Sequence, residues 1–272
     1  MTTLDYLAHL DAESERFGDI LAGADLVQPV PSCPDWTAGD LFWHLTEVQW
    51  FWGTIVRERV SDPAEIEAER PERPTDLDSL CHLFATVSTD LHGALTAASA
   101  QTPVWTWAPD KTVGFIRRRQ AHEALIHRID AELATGRGPD TWASIDPALA
   151  ADGVDEVLRI MHGGIPDWGT FDLDGRTARV EATDTGARWG LVFGRFTGTD
   201  PRDGTSYDED AFDAADDNDA AGGATGADAT VRGTAADLDC WLWGRLAADR
   251  VERRGDAAVL DRMQAVITAG ID

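Results

Sequence analysis

The chain has 272 residues, 43% of them apolar, which is enough for one large domain or two modest ones around a buried core. Its 49 acidic residues outnumber 23 basic ones and leave a formal net charge of −26, a field that argues against nucleic acid and membrane surfaces as partners. No run of eighteen apolar residues predicts a membrane-spanning helix, and the start MTTLDYLAHLDAE lacks the basic and apolar regions of a secretion signal, so a cytoplasmic location is expected.

The first half predicts four amphipathic helices. One runs from about Leu4 to Ala22, with Thr2 or Thr3 as cap and Leu4, Leu7, Leu10, Phe17, Ile20 and Leu21 at helical spacing. The segment VQPVPSCPD, residues 27–35, carries three prolines and cannot be helical. A second helix follows, capped by Thr37 or Asp35, with Asp40 placed for a capping box. Its broad face is Leu41, His44, Leu45, Val48, Phe51, Trp52 and Ile55. A Pro- and Glu-rich loop from Asp62 to Pro74 leads to a third helix over Leu77 to Ala98. After a Trp-rich connection, a fourth runs from Val113 to Thr135 and stops at Gly136. Four long helices with such connections suggest a bundle.

Beyond residue 140 the pattern changes. Residues 146–162 read as a helix ending at Gly163 and Gly164. FDLDGRTARVEATD and ARWGLVFGRFTG alternate as strands do, with a turn at Asp174 and Gly175. The stretch 199–228 is rich in Asp, Gly and Ala and reads as an acidic loop. ATVRG is a short strand, and AADLDCWLWGRLAADRV and DAAVLDRMQAVITA are helices. The expected class is α+β: a bundle over 1–140 and a smaller α+β domain over 141–272.

Cys33, Cys81 and Cys240 are odd in number and widely spaced, without a CxxC, which argues against a disulfide scaffold and against a cysteine zinc site. The chemistry concentrates in RRRQAHEALIHRIDAE. Glu123 and His127, four apart, are offset by about 40° and lie one turn apart on a helix, so a carboxylate oxygen and an imidazole nitrogen can meet at one ion. His122 and His127, five apart, point roughly 140° away from each other, so this is not the arrangement of zinc proteases. Asp130 shares the face and could orient His127. His44, mid-helix among apolar residues, is the best third ligand, and three ligands with an open position is a catalytic arrangement. The ordinary alternatives are a hydrogen-bonded core histidine at 44 and a helix-stabilising pair at 123 and 127. The tryptophans 36, 43, 50, 52, 105 and 107 read as core. The arginines 117–119 read as a solvated cationic turn, except that Arg119 could reach a substrate carboxylate. His82, His92 and His162 have no evident partners.

VPSCPDWTAGDLFWHLTEVQWFW, with Pro31, Cys33, Pro34 and Trp36 ahead of His44, resembles the N-terminal motif of the mycothiol-dependent maleylpyruvate isomerase family, one of the DinB-like bundles. AHEALIHRIDAELATG resembles its second motif. The resemblance implies a DinB-like four-helix bundle followed by a small SCP2-like α+β domain. It implies that His44, Glu123 and His127 ligate a divalent metal, zinc by expectation, and that an arginine of the C-terminal helix, matched here by Arg245 with Arg253 and Arg254 as competitors, binds or polarises substrate. The cosubstrate it implies is mycothiol or a similar thiol, acting on an electrophilic small molecule by isomerisation or S-transfer. A non-catalytic metal- or ligand-binding bundle is the alternative.

Overall fold

The computed structural model describes residues 4–215 and 226–269. The chain divides into two compact units, Met1–Ala143 and Ser144–Asp272.

The first unit is built on helices α1 (Tyr6–Ala22), α2 (Ala38–Glu58), α4 (Leu77–Ala97) and α5 (Val113–Ala134), with a short α3 (Ala64–Glu67) inside the Pro- and Glu-rich connection. α1 and α2 each pack against both α4 and α5, which closes a four-helix bundle. Phe17, Leu21, Leu41, Phe42, Leu45, Leu80 and Phe84 fill its core. Asp5 caps α1, accepting from the Ala8 amide; Thr2 and Thr3 lie outside the described residues. The Pro-rich segment before α2 is a small hairpin, β1 (Pro29–Val30) and β2 (Cys33–Thr37), turning at Pro31 and Ser32. Residues just ahead of this hairpin satisfy the start of α2: the Ala38 and Gly39 amides donate to the carbonyls of Gln28 and Leu26.

Thr37 completes the expected capping box. The Asp40 amide donates to Thr37 Oγ1 at 3.2 Å, and the Thr37 amide donates to Asp40 Oδ2 at 2.9 Å. The hydrogen bonds from Thr37, and then from Arg73, hold the Asp40 carboxyl down at about 2. Because the folded value lies below the ordinary 3.8, this group stabilises the fold above pH 3.8 and loses that contribution as pH falls toward 2. Asp40→Asn is therefore expected to cost stability at pH 7, by about 1 kcal/mol on the scale of cap losses, and to differ little from the parent below pH 2. Denaturant titrations at the two pH values check this.

α5 is buried almost all round, yet it carries Arg119, His122, His127, Arg128, Asp130 and Glu132 in the interior. Such charges persist in a core only when partnered. Arg128, fully buried, donates to Glu13 of α1 at 2.7 Å and to Glu132 and the Ala143 carbonyl at 3.3 Å. Arg117 is not in a solvated cationic turn: its guanidinium donates to the carbonyls of Leu95 and Ala98, closing the C-terminal end of α4 where the helix dipole favours a cation.

The second unit opens with α6 (Pro147–Glu156), continued by a π-helical turn over Val157–Met161. Its sheet has the order β5–β4–β3–β6–β7, from β3 (Gly169–Ala182), β4 (Arg188–Thr199), β5 (Ser206–Ala215), β6 (Ala229–Gly233) and β7 (Glu252–Gly255). All pairs are antiparallel except β3 with β6. Helices α7 (Ala235–Leu242) and α8 (Ala257–Ala269) complete the unit.

Three expectations are corrected here. Asp174 and Gly175 do not turn the chain. They sit inside β3, where the register with β4 shifts between Leu173 and Thr177, and Gly175 takes a positive φ of 81°. A bulge, which adds residues to one strand only, has the same Asp–Gly signature as a hairpin turn. The stretch 199–228 is not all loop either: residues 206–215 form β5, in which Phe212 is fully buried and the acids Asp208 and Asp210 pair with Arg195 of β4. Cross-strand ion pairing offsets the poor strand propensity of aspartate; residues 216–225 lie outside the described chain. Finally, AADLDCWLWGRLAADRV is not one helix: its α-helix ends at Leu242, and a single 3₁₀ turn over Ala248–Arg250 follows. Gly244, with φ of 73°, ends α7, and the Arg245 amide donates back to the Cys240 carbonyl in a Schellman-type closure.

Candidate metal centre

His44 projects from α2, about two turns after the capped start of that helix, and Glu123 and His127 project from α5. The two helices pack together and bring three potential ligand atoms within 4.8 Å of one another. His127 Nε2 lies 3.1 Å from Glu123 Oε1, and His44 Nε2 lies 3.5 Å from the same oxygen. The imidazole centroids of His44 and His127 are 4.8 Å apart, with planes at 76°. A tetrahedral ion with Zn–N and Zn–O bonds near 2.0–2.1 Å separates its ligand atoms by about 3.3–3.4 Å. The two separations to Glu123 Oε1 lie near this value, and the donor set is that of a two-histidine, one-carboxylate centre.

The surroundings restrict how each group can act. Arg119, one turn before Glu123 and buried, donates through Nε at 3.2 Å and through Nη2 to Glu123 Oε2. That leaves Oε1 as the oxygen facing both histidines. Arg119 is thus a partner of Glu123 in the site. Burial alone would raise the Glu123 carboxyl, but the Arg119 guanidinium and the hydrogen bonds of His127 and His44 hold it well below the usual carboxylate range. On the far side of His127, Nδ1 donates to Asp130 Oδ2 at 2.9 Å. Burial works against a charged His127 imidazole, but its hydrogen bonds to Asp130 and Glu123 outweigh this and push it up to about 9.

Two residues outside the helices complete the surroundings, and sequence reasoning marks neither for this role. Ser32, in the hairpin turn, donates to Asp130 Oδ1. Trp36, read from sequence as core, sets its ring 4.7 Å from the His44 centroid and 6.2 Å from that of His127. The motif containing both is visible, but their partners lie far along the chain: Ser32 and Asp130 are 98 residues apart. Trp107 is exposed rather than buried. His122 is buried beside Tyr6, at 6.3 Å between ring centroids. His92 and His162 have partners after all, Asp11 at 2.6 Å and the Leu242 carbonyl at 3.3 Å.

Arg245 belongs to the second unit, in the turn beyond α7. It donates to the Trp243 carbonyl at 2.5 Å, and its guanidinium stands 6.0 Å from the Trp243 ring centroid. Arg253 and Arg254 lie on β7 and are exposed. The three cysteines are free thiols; burial and the nearby Asp78 push the Cys81 thiol up, away from the reactive thiolate. A groove of about 580 Å³ between α1 and α4, lined by residues including Leu10, Phe42 and Phe84 with Asp11 and Glu15, shares no residue with the histidine–carboxylate cluster. No helix among the described residues is long and apolar enough to cross a membrane.

Two family models account for nearly the whole chain. The mycothiol maleylpyruvate isomerase N-terminal domain matches residues 7–132, and the C-terminal domain of the same family matches residues 148–262. The chain belongs to the mycothiol maleylpyruvate isomerase family. The two matches fall one in each structural unit. The fold is similar to that of the mycothiol-dependent maleylpyruvate isomerase, with a TM-score of 0.59 and 15% identity, and to that of a histidine-to-alanine variant of it, with a TM-score of 0.61 and 14% identity. In both cases the similarity covers 93% of this chain and 93% of the other. A comparison with curated protein sequences gives no match.

Proposed function

We propose that this protein is a metal- and thiol-dependent enzyme that isomerises, or transfers sulfur to, an electrophilic unsaturated small molecule. His44, Glu123 and His127 are the proposed ligands of one divalent cation, zinc being the choice that suits two imidazoles and a carboxylate. The observation that carries the reading is the convergence of these three groups on one point, inside a chain whose two halves both match the isomerase family.

When bound there, the cation supplies a position that favours the thiolate form of an incoming thiol, mycothiol being the candidate the family description names. The residues of the chain prepare that position. Asp130 fixes the proton of His127 on Nδ1 and leaves Nε2 to ligate. Arg119 occupies Glu123 Oε2, so the carboxylate presents Oε1 alone. Trp36 covers one side of both imidazoles.

The thiolate then adds to an alkene carbon conjugated to a carbonyl, forming a C–S bond while the alkene electron pair moves toward that carbonyl. If the adduct rotates about the former double bond and expels the thiolate, the product is the cis–trans isomer. If the carbon takes a proton from solvent instead, the product is the thioether. Arg245 is the residue proposed to bind the substrate's carboxylate; Arg245→Lys is expected to raise KM while leaving metal content unchanged.

Metal analysis of protein purified without chelators, beside His44→Ala, tests the reading. It predicts near-stoichiometric metal in the parent, loss in the variant, and turnover of an unsaturated acid only with thiol present. A parent that takes up no zinc when it is supplied overturns it.

A further inference from the structure

The hairpin β1–β2 reaches the candidate centre from outside the bundle. Val30 of β1 is fully buried in the core beside Ala131 and Ala134 of α5, so the hairpin is anchored against the helix that carries two of the ligands. At its turn stands Ser32, whose hydroxyl donates to Asp130 Oδ1, while Asp130 Oδ2 accepts from His127 Nδ1. Asp130 is wholly buried. Oδ1 accepts from the hairpin hydroxyl and Oδ2 from an imidazole of the centre. At its other end the hairpin runs into Thr37, the cap of α2, and so also sets where the helix of His44 begins.

A buried carboxylate with a single hydrogen bond can rotate about its terminal torsion, which is broad and soft. A second donor on the opposite oxygen removes that freedom. The Ser32 hydroxyl is such a donor, and with it in place the carboxylate presents Oδ2 to His127 Nδ1.

We propose that Ser32 is a positioning residue for His127. Acting through Asp130, it holds the imidazole in the orientation and tautomer that present Nε2 to the metal, so the Pro29–Thr37 hairpin is a structural support of the centre. The proposal rests on the metal reading given above. Ser32 touches no reacting atom; its effect is on how tightly and in what geometry the metal is held.

The test is zinc affinity by chelator competition, together with the visible absorption of the cobalt(II)-substituted protein, for the parent, Ser32→Ala, Ser32→Thr and Asp130→Asn. Losses of supporting hydrogen bonds of this kind weaken metal binding by about 10–100-fold. Ser32→Ala is expected to lose on the order of tenfold in affinity and to shift the cobalt bands, with Asp130→Asn at least as affected. Ser32→Thr, which keeps the hydroxyl, is expected to restore parental affinity and spectrum. Thermal unfolding of the zinc-free proteins guards against a plain loss of fold, since the proposal requires Ser32→Ala to unfold close to the parent. Parental affinity and spectrum in Ser32→Ala would overturn the proposal and leave the metal reading standing. A parent that binds neither zinc nor cobalt would overturn both.

Discussion

Glu123→Gln is expected to abolish stoichiometric zinc retention and to cut thiol-dependent turnover by more than the roughly 10–100-fold that loss of a supporting hydrogen bond costs. The substitution keeps size and hydrogen-bonding reach but removes the charge. Among the described residues, Glu123 is the carboxylate whose oxygen faces both His44 and His127, and its other oxygen answers Arg119. Without it, a divalent cation would sit among two neutral imidazoles with the Arg119 guanidinium close by. Attraction would then give way to repulsion at a point where burial weakens solvent screening. The prediction separates this role from simple helix support. An i,i+4 pair on a helix contributes only about 0.2–0.5 kcal/mol, so a bland pairing of Glu123 with His127 predicts a small stability change and no effect on metal. Metal analysis and thermal unfolding on the same preparations decide between them; a Glu123→Gln variant retaining full zinc would remove Glu123 from the centre.

The largest stability effect is expected at Arg128→Met. The guanidinium is fully buried and bridges Glu13 of α1 and Glu132 of α5, with a further bond to the Ala143 carbonyl that ends the first unit. Removing it leaves Glu13 to the half-exposed Arg16 and Glu132 to the Ala143 amide, and breaking a buried ion network from one side costs about 3–5 kcal/mol. For a unit of this size that lowers the unfolding midpoint by roughly 10 °C or more. The comparison that isolates the cause is the triple change Arg128→Met, Glu13→Leu, Glu132→Leu. With the buried charges gone, only the Ala143 backbone groups and the half-exposed Arg16 lose a partner, and stability is expected to return most of the way to the parent. A triple variant as unstable as the single one would mean that the loss lies in packing around α1 and α5 and not in charge.

How far the sequence foretells this structure depends on where the information sits. The helices α1, α2, α4 and α5 announce themselves by apolar spacing at 3.6 residues and by capping residues, all local signals, and their bounds agree with the reading to within a residue or two. Glu123 and His127 can be paired from sequence because a helix fixes their geometry. His44 needs the additional inference that an imidazole on an apolar face points inward. The failures are non-local. β5 is held by Arg195 of a neighbouring strand, which composition cannot reveal when the segment itself is mostly Asp, Ala and Gly. A bulge and a turn share the signature Asp–Gly, and only the partner strand tells them apart. Ser32 and Trp36 lie within a motif that stands out, but what they hold lies on helices to which the intervening sequence gives no distance. Gly244 escapes notice as a stop because apolar spacing continues past it.

Among the described residues, the two end strands of the sheet share a property whose effect falls outside the fold. β5 reads SYDEDAFDAA and β7 reads ERRG, so both ends of the order β5–β4–β3–β6–β7 are written in charge. An end strand is a template on which a second molecule can extend the sheet. A copy of β5 approaching antiparallel would bring Asp208, Glu209 and Asp210 against the same acids of its twin, and like charges directly opposite oppose pairing. The acidity of this chain, which says little about its chemistry, thus opposes pairing of two copies through β5. Acidification, which neutralises those carboxylates, removes that repulsion.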